Sequence, residues 1–316
     1  RECRTLARAG YDVMYMAPGA QPGWDAAGVL LAPLPQRGRR TRFLSSAGIV
    51  RSLRALRPRV LHVHDPELLT LLPIVKAFVP RLVYDMHEYV PEAVAGKPYL
   101  PQAVRPAASR TTALAQRSLA ALASGVVVVT EGQLDALGSE PELRLVSPNY
   151  PRLERFKDAV PVPELAADPR LKIVYVGSLS RARGCTVMLD VMERLGPEEA
   201  VLYLGGTFND AALEDEVKAR LAAGLEDRVK LLGRVPPAEL PRYLGAADVV
   251  WVPSVPTAQY SNTAVPTKLF EGMAMGLAAL VSDLPGRGEF IRTERCGLAV
   301  APGFIKTMLT ENLPQD

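Results

Sequence analysis

Apolar residues come in short runs separated by stretches with helical spacing, and this alternation is repeated twice along the chain. In the first half it predicts strands at Val13–Met16, Val60–His64, Arg81–Tyr84, Gly125–Thr130 and Leu143–Val146, with helices at Pro66–Phe78 and Pro106–Ala123. Continuous apolar strands alternating with helices point to a parallel sheet covered on both faces. Residues 149–168, which contain the runs NYP and VPVPEL, have little periodicity and read as a linker. The second half restarts with strands at Lys172–Val176, Ala200–Leu204, Val229–Leu232, Val249–Val252 and Leu277–Ser282, and helices at Cys185–Leu195, Ala211–Ala222 and Pro237–Leu244. The expected architecture is therefore α/β: two Rossmann-like, doubly wound domains, residues 1–165 and 166–316, facing a cleft. Ligands in such sheets sit beyond the C-terminal ends of the strands. Both ends of the chain look cut. It opens on a helix, a glycine turn and a strand, so the first strand of the N-terminal domain is expected to be missing. The run FIKTMLTENLPQD supplies one short amphipathic piece where further C-terminal helices are expected.

Composition narrows the class. At 316 residues, 48% hydrophobic and 22% charged, the chain has material for two ordinary globular domains. No apolar run reaches the roughly 18 residues of a membrane span, and no secretory signal opens the sequence. Cys3, Cys185 and Cys296 are far apart, fit a reducing compartment and read as packing residues. With only His62, His64 and His87 present, no metal site is expected. Residues 1–168 carry 21 Lys and Arg against 16 Asp and Glu, and the remainder 16 against 18. The excess gathers at Arg37, Arg39, Arg40, Arg42, Arg51, Arg54, Arg57 and Arg59. Such a patch suits anionic headgroups or a lipid-linked phosphate, or is simply a solvated face. No aromatics interleave with these arginines, which argues against nucleic acid.

Four segments carry candidate chemistry. In Asn262–Asp283, Pro266 sits where a first helical turn tolerates proline, Lys268 and Glu271 share one face near the helix N-terminus, and Gly276 closes the helix. A lysine at a helix N-terminus suits a diphosphate, and a carboxylate one turn further in can accept from both hydroxyls of a ribose. An ordinary amphipathic helix with a solvated Lys–Glu pair has the same pattern. The second segment, Gly177–Gly184, reads GSLSRARG between a strand and a helix, a context for phosphate binding or for a plain turn. Third, Gly233–Val235 follows a strand. Fourth, the strand exits VLHVHDPE and RLVYDMHE hold all three histidines, with Asp65 and Pro66 also suited to starting a helix. No P-loop, G-x-G-x-x-G or Ser-His-Asp arrangement is present.

Taken together, these segments resemble the retaining, family-four glycosyltransferases of the glycogen-synthase-like GT-B class. The resemblance runs from about Glu2 to Gly303 with the motifs in order. P-x-K-x-x-E is Pro266, Lys268 and Glu271, the strand-ending G-x-L…K-G has Arg183 in place of its lysine, and HDPEL and YD-x-HE are the capsule- and cell-wall-type segments. Thr263 stands where the family often has a first glutamate. The resemblance implies a nucleotide-diphosphate sugar donor, with Glu271 on the ribose and Lys268, Arg183 and, second to it, Arg181 on the diphosphate. Gly177, Ser178, Pro266 and Thr267 would line that site, and Gly233 and Val235 would hold the base. It places His87 at the donor sugar with Glu88 nearby, and His64, Asp65 and Glu67 along the cleft. It implies no metal and no cofactor, a glycan or lipid-linked acceptor, and a cytoplasmic protein at the inner membrane face through Arg37, Arg39, Arg40 and Arg42. A nucleotide-sugar 2-epimerase on the same fold and an inactive nucleotide-sugar-binding remnant are the alternatives.

Overall fold

The computed structural model describes residues 2–34, 46–87, 89–95, 100–138, 141–256 and 265–301. Arg37, Arg39, Arg40, Arg42, Glu88, Thr263 and the run 304–316 lie outside the described residues. The chain divides into two compact units, one of Arg1–His87, Ala113–Val128 and Leu134–Leu145, the other of Glu88–Thr112, Val129–Gln133 and Val146–Asp316.

Among the described residues the first unit holds seven strands: β1 (Val13–Pro18), β2 (Gly23–Trp24), β3 (Val29–Leu34), β4 (Val60–Val63), β5 (Arg81–Met86), β6 (Gly125–Val128) and β7 (Leu143–Val146, whose last residue opens the other unit). They form a small sheet ordered β1-β3-β2 and a four-stranded sheet ordered β4-β5-β6-β7. The small sheet differs from the expected pattern, because β2 is two residues long and β3, VLLAPL, carries a proline. Parallel pairing sets Val63 opposite Tyr84 and Tyr84 opposite Val126. The expected helix Pro66–Phe78 is instead a 3-10 turn, Pro66–Leu71, leading into a short α-helix, Leu72–Val75. Pro73 explains this: it has no N–H to donate, so it is tolerated only in the first turn of the segment that contains it.

The second unit is built on β8 (Leu171–Val176), β9 (Ala200–Gly205), β10 (Val229–Gly233), β11 (Val249–Val252), β12 (Ala278–Ser282) and β13 (Gly297–Val300). Their order is β10-β9-β8-β11-β12-β13, and every neighbouring pair is parallel. Alternate residues feed two cores. Val174, Val201, Val250 and Val281 join one cluster, and Ile173, Tyr175, Leu202 and Trp251 join the other. Both faces are covered, which is why these strands read as unbroken apolar runs. The seam before β8 is not a bare linker. Phe156 and Leu165 are buried in the first of these clusters, and the Val162 N–H donates to the Arg242 carbonyl. Isolated apolar anchors have no period, so the pattern does not reveal them. The helix expected at Pro237–Leu244 starts only at Leu240, with Pro241 in its first turn.

Candidate functional site

In the second unit, three neighbouring strands exit through glycine: Gly177 follows β8, Gly205 ends β9 and Gly233 ends β10. The Gly177 N–H donates to the Gly205 carbonyl at 2.8 Å, and the Gly206 N–H to the Gly233 carbonyl at 2.6 Å. A Cβ on Gly206 would stand 1.7 Å from the Gly177 oxygen, so only glycine lets these exits approach. Val235 closes the far side, its Cγ2 lying 2.8 Å from where a Gly205 Cβ would be. After β8 the chain makes a 3-10 turn, Arg181–Arg183, in which the Arg183 N–H donates to the carbonyl and the hydroxyl of Ser180. Gly184 ends the turn at φ 74°, and its Cα faces the Pro253 carbonyl so closely that a Cβ would stand 1.9 Å away.

Helix Thr267–Ala274 presents its N-terminus to the same strand ends. Pro266 occupies the N-cap position with extended backbone, one place earlier than the first helical residue. Gly276, at φ 76°, follows the helix, and the Leu277 N–H returns to the Gly272 carbonyl. Lys268 lies against Gly177: a Cβ there would stand 2.4 Å from both its Cε and its Nζ. Its ammonium is also 5.1 Å from the centre of the Tyr175 ring. Burial, then the charge of Arg183 and that of Arg287, pull Lys268 down to about 8, against an opposing pull from Glu271. Ser178 is tied to Asn209 at 2.5 Å, and its carbonyl accepts from the Tyr175 hydroxyl at 2.9 Å. Arg181 is paired with Glu216 at 2.5 Å, so its guanidinium is engaged by a carboxylate of the unit itself.

The structure thus gathers Gly177, Arg183, Lys268 and Glu271 and adds Arg287, which the sequence motifs do not single out. Arg287 is only 4% exposed and donates to the Ser254 hydroxyl at 2.7 Å. It lies between two glycines five residues after β12 ends at Ser282, and no spacing in the sequence links it to the other motifs.

In the first unit the exits of β4 and β5 bring the three histidines together. Register places His64 and Asp85 one step beyond the pair Val63–Tyr84. His62 stacks on His64 at 4.7 Å and His64 on His87 at 5.3 Å. His64 Nδ1 is 3.1 Å from His87 Nε2. All three rings face Asp85, a buried carboxylate that the motifs also pass over; His62 and His87 approach it at 3.4 and 3.3 Å. Burial pushes the Asp85 carboxyl up, but His62, His87 and His64 together hold it below the usual carboxylate range. Burial, with the neighbouring His62 second, lowers His64. The expectation of no metal site therefore meets a cluster of side chains of the types that can ligate a metal. Asp65 takes the N-cap position before Pro66, yet its side chain caps nothing. Asp65 and Glu67 are both exposed. No described helix is long and apolar enough to cross a membrane.

Comparison with known proteins assigns both halves of the chain. Residues 1–150 match the family model of the glycosyl transferase 4-like domain, and residues 170–313 that of glycosyl transferases group 1. Over 144 residues the chain is 32% identical to the amylovoran biosynthesis glycosyltransferase AmsK of Erwinia amylovora, a match spanning 44% of this chain and 34% of that relative. The fold is similar to Anabaena Alr3699/HepE, crystallised in complex with UDP, at 17% identity and a TM-score of 0.64 over 95% of this chain and 90% of that one. It is also similar to sucrose-phosphate synthase of Thermosynechococcus elongatus, at 19% identity and a TM-score of 0.72 over 98% and 80%.

Proposed function

Because the chain belongs to the group 1, 4-like glycosyltransferases of the GT-B fold, we propose that it moves a sugar from a nucleotide-diphosphate donor to a glycan or lipid-linked acceptor, with retention of configuration. The observation that carries this reading is the seat of Lys268: a lysine at a helix N-terminus, pressed against the glycine exit of β8 with Arg183 and Glu271 beside it. As the bond from the sugar to the diphosphate breaks, negative charge grows on the departing phosphate oxygens. Cations and helix amides already fixed there stabilise that charge more than they stabilise the ground state. Lys268, Arg183 and the amides of Thr267 and Lys268 take this part, and Glu271 holds the ribose. In the same reading Gly177, Ser178 and Pro266 line the donor site and Gly233 and Val235 flank the base. His87 and Glu88 are assigned to the sugar, with His64, Asp65 and Glu67 toward the acceptor. A related fold crystallised with UDP supports a nucleotide donor, and the amylovoran relative supports bacterial surface-polysaccharide synthesis as the setting.

The test is calorimetric titration of the chain with UDP, GDP and ADP, repeated on Glu271→Ala. One diphosphate is expected to bind selectively and to lose at least tenfold in affinity in the variant. A folded wild type that binds none of the three overturns the reading.

A further inference from the structure

We propose that His64, Asp85 and His87, with Glu2 as an exposed fourth donor, form a binding site for a zinc-class divalent ion in the first unit. One donor atom from each of these four residues lies within 4.8 Å of the other three. The inner separations are the informative ones: 3.1 Å from His64 Nδ1 to His87 Nε2, 3.6 Å from His64 Nδ1 to Asp85 Oδ2, and 3.3 Å from His87 Nε2 to Asp85 Oδ1. Tetrahedral ligands at the bond lengths of zinc to nitrogen and carboxylate oxygen, about 2.0–2.1 Å, stand about 3.3–3.4 Å from one another. The two imidazole nitrogens stand near that distance from each other and from Asp85, His64 facing Oδ2 and His87 facing Oδ1, so a small turn of the carboxylate brings one oxygen to both.

Independent support comes from Asp85. It is 2% exposed, and its Oδ2 accepts no hydrogen bond among the described residues although it points at the imidazoles. A buried carboxylate is costly unless it is paired or coordinates a metal. His62 stands where an outer partner would orient that carboxylate, with its Nε2 3.4 Å from Oδ2 and its ring stacked on His64. Two imidazoles among the donors favour zinc, cobalt or nickel over calcium and magnesium, which prefer all-oxygen shells. Glu2 is nearly half exposed, so it is the donor that exchanges most readily with water.

The site lies within one unit and does not rest on the transfer reading. A bound ion would occupy Nε2 of His87, the residue that the transfer reading assigns to the sugar, so loading is expected to slow transfer.

The experiment titrates the tag-free, chelator-stripped chain with Zn2+ by calorimetry and with Co2+ by visible absorption. About one ion per chain is expected, with the d–d bands of a tetrahedral nitrogen and oxygen site and no thiolate charge-transfer band. His64→Gln and His87→Gln are each expected to weaken binding at least tenfold, and Asp85→Asn to abolish it in protein shown to be folded. Should the buried Asp85 variant fail to fold, the two histidine variants at partly exposed positions decide the matter. Absence of binding by the folded chain, binding unchanged in both histidine variants, or thiolate bands tracing the ion to a cysteine would overturn the proposal. Nucleotide binding, measured on the same samples, stands or falls separately.

Discussion

Lys268 gives the donor site a pH dependence with a definite sign. An ordinary lysine stays charged to above pH 10, whereas this one loses its proton at about 8. A diphosphate binds the charged form, so affinity is expected to fall as pH rises from 8 toward 10, by up to about tenfold per unit. Stability of the nucleotide-free protein runs the other way. The unfolded lysine binds more protons than the native one between about 8 and 10.5, so stability rises with pH across that window. Calorimetry between pH 7 and 9.5, with Lys268→Met as the flat and weak control, checks the binding half. Gly177→Ala tests the same side chain without changing its charge. The new methyl would meet the mobile end of Lys268 rather than backbone. Because Gly177 holds φ 157°, where an L side chain is strained, the variant is expected to lose about 1–3 kcal/mol of stability as well, while nucleotide affinity drops at least tenfold. A large loss of stability with affinity retained would show that Gly177 serves the sheet and not the lysine.

At the scale of elements, helix Thr267–Ala274 aims Lys268 by resting on β11. Its Gly272 packs so closely that a Cβ would stand 2.4 Å from Val250 Cγ1. Valine is stiff at this branch point and cannot swing aside. Gly272→Ala is expected to cost about 1–3 kcal/mol of stability, as overpacking does. It should also weaken nucleotide binding, because the helix and its lysine move together. Denaturant titration beside calorimetry separates the two losses. This helix is legible in the sequence because its signals are local: Pro266, the Lys268–Glu271 spacing and Gly276 lie within eleven residues. Arg287 is not legible, since its approach to Lys268 follows from β12 lying beside β11 rather than from any spacing. The histidines show the same division. The sequence marks two strand exits, but only the register of β4 and β5 turns them into a cluster around Asp85. The small sheet escapes for another reason, since a two-residue strand and a proline-bearing one leave no periodic trace.

The whole molecule carries two units with different charge and different proposed ligands. In the first unit, helix Ser46–Leu56 exposes Arg51 and Arg54 at a cavity of about 480 Å3 that is also lined by Ala47, Val50, Leu71 and Ile74. Cations beside an apolar recess suit an anionic membrane surface. The protein is expected to pellet with anionic vesicles in a sedimentation assay, and Arg51→Glu with Arg54→Glu to lower the pelleted share while leaving nucleotide binding intact. The two tryptophans make the units separable by fluorescence. Trp251 is 2% exposed in the core of the second unit, and Trp24 is 69% exposed in the first. In Trp24→Phe, emission therefore reports the second unit, while circular dichroism reports both. A ligand that binds only native protein at about a hundred times its Kd stabilises it by about 2.7 kcal/mol, which for a unit of this size is about 5–10 °C. The bound diphosphate is expected to raise the tryptophan transition by that amount. Zn2+ is expected to move only the remaining part of the dichroism transition, because its donors all belong to the first unit. If both ligands shift one coincident transition, the units unfold as a single cooperative block, and the histidine cluster and the lysine site share one stability.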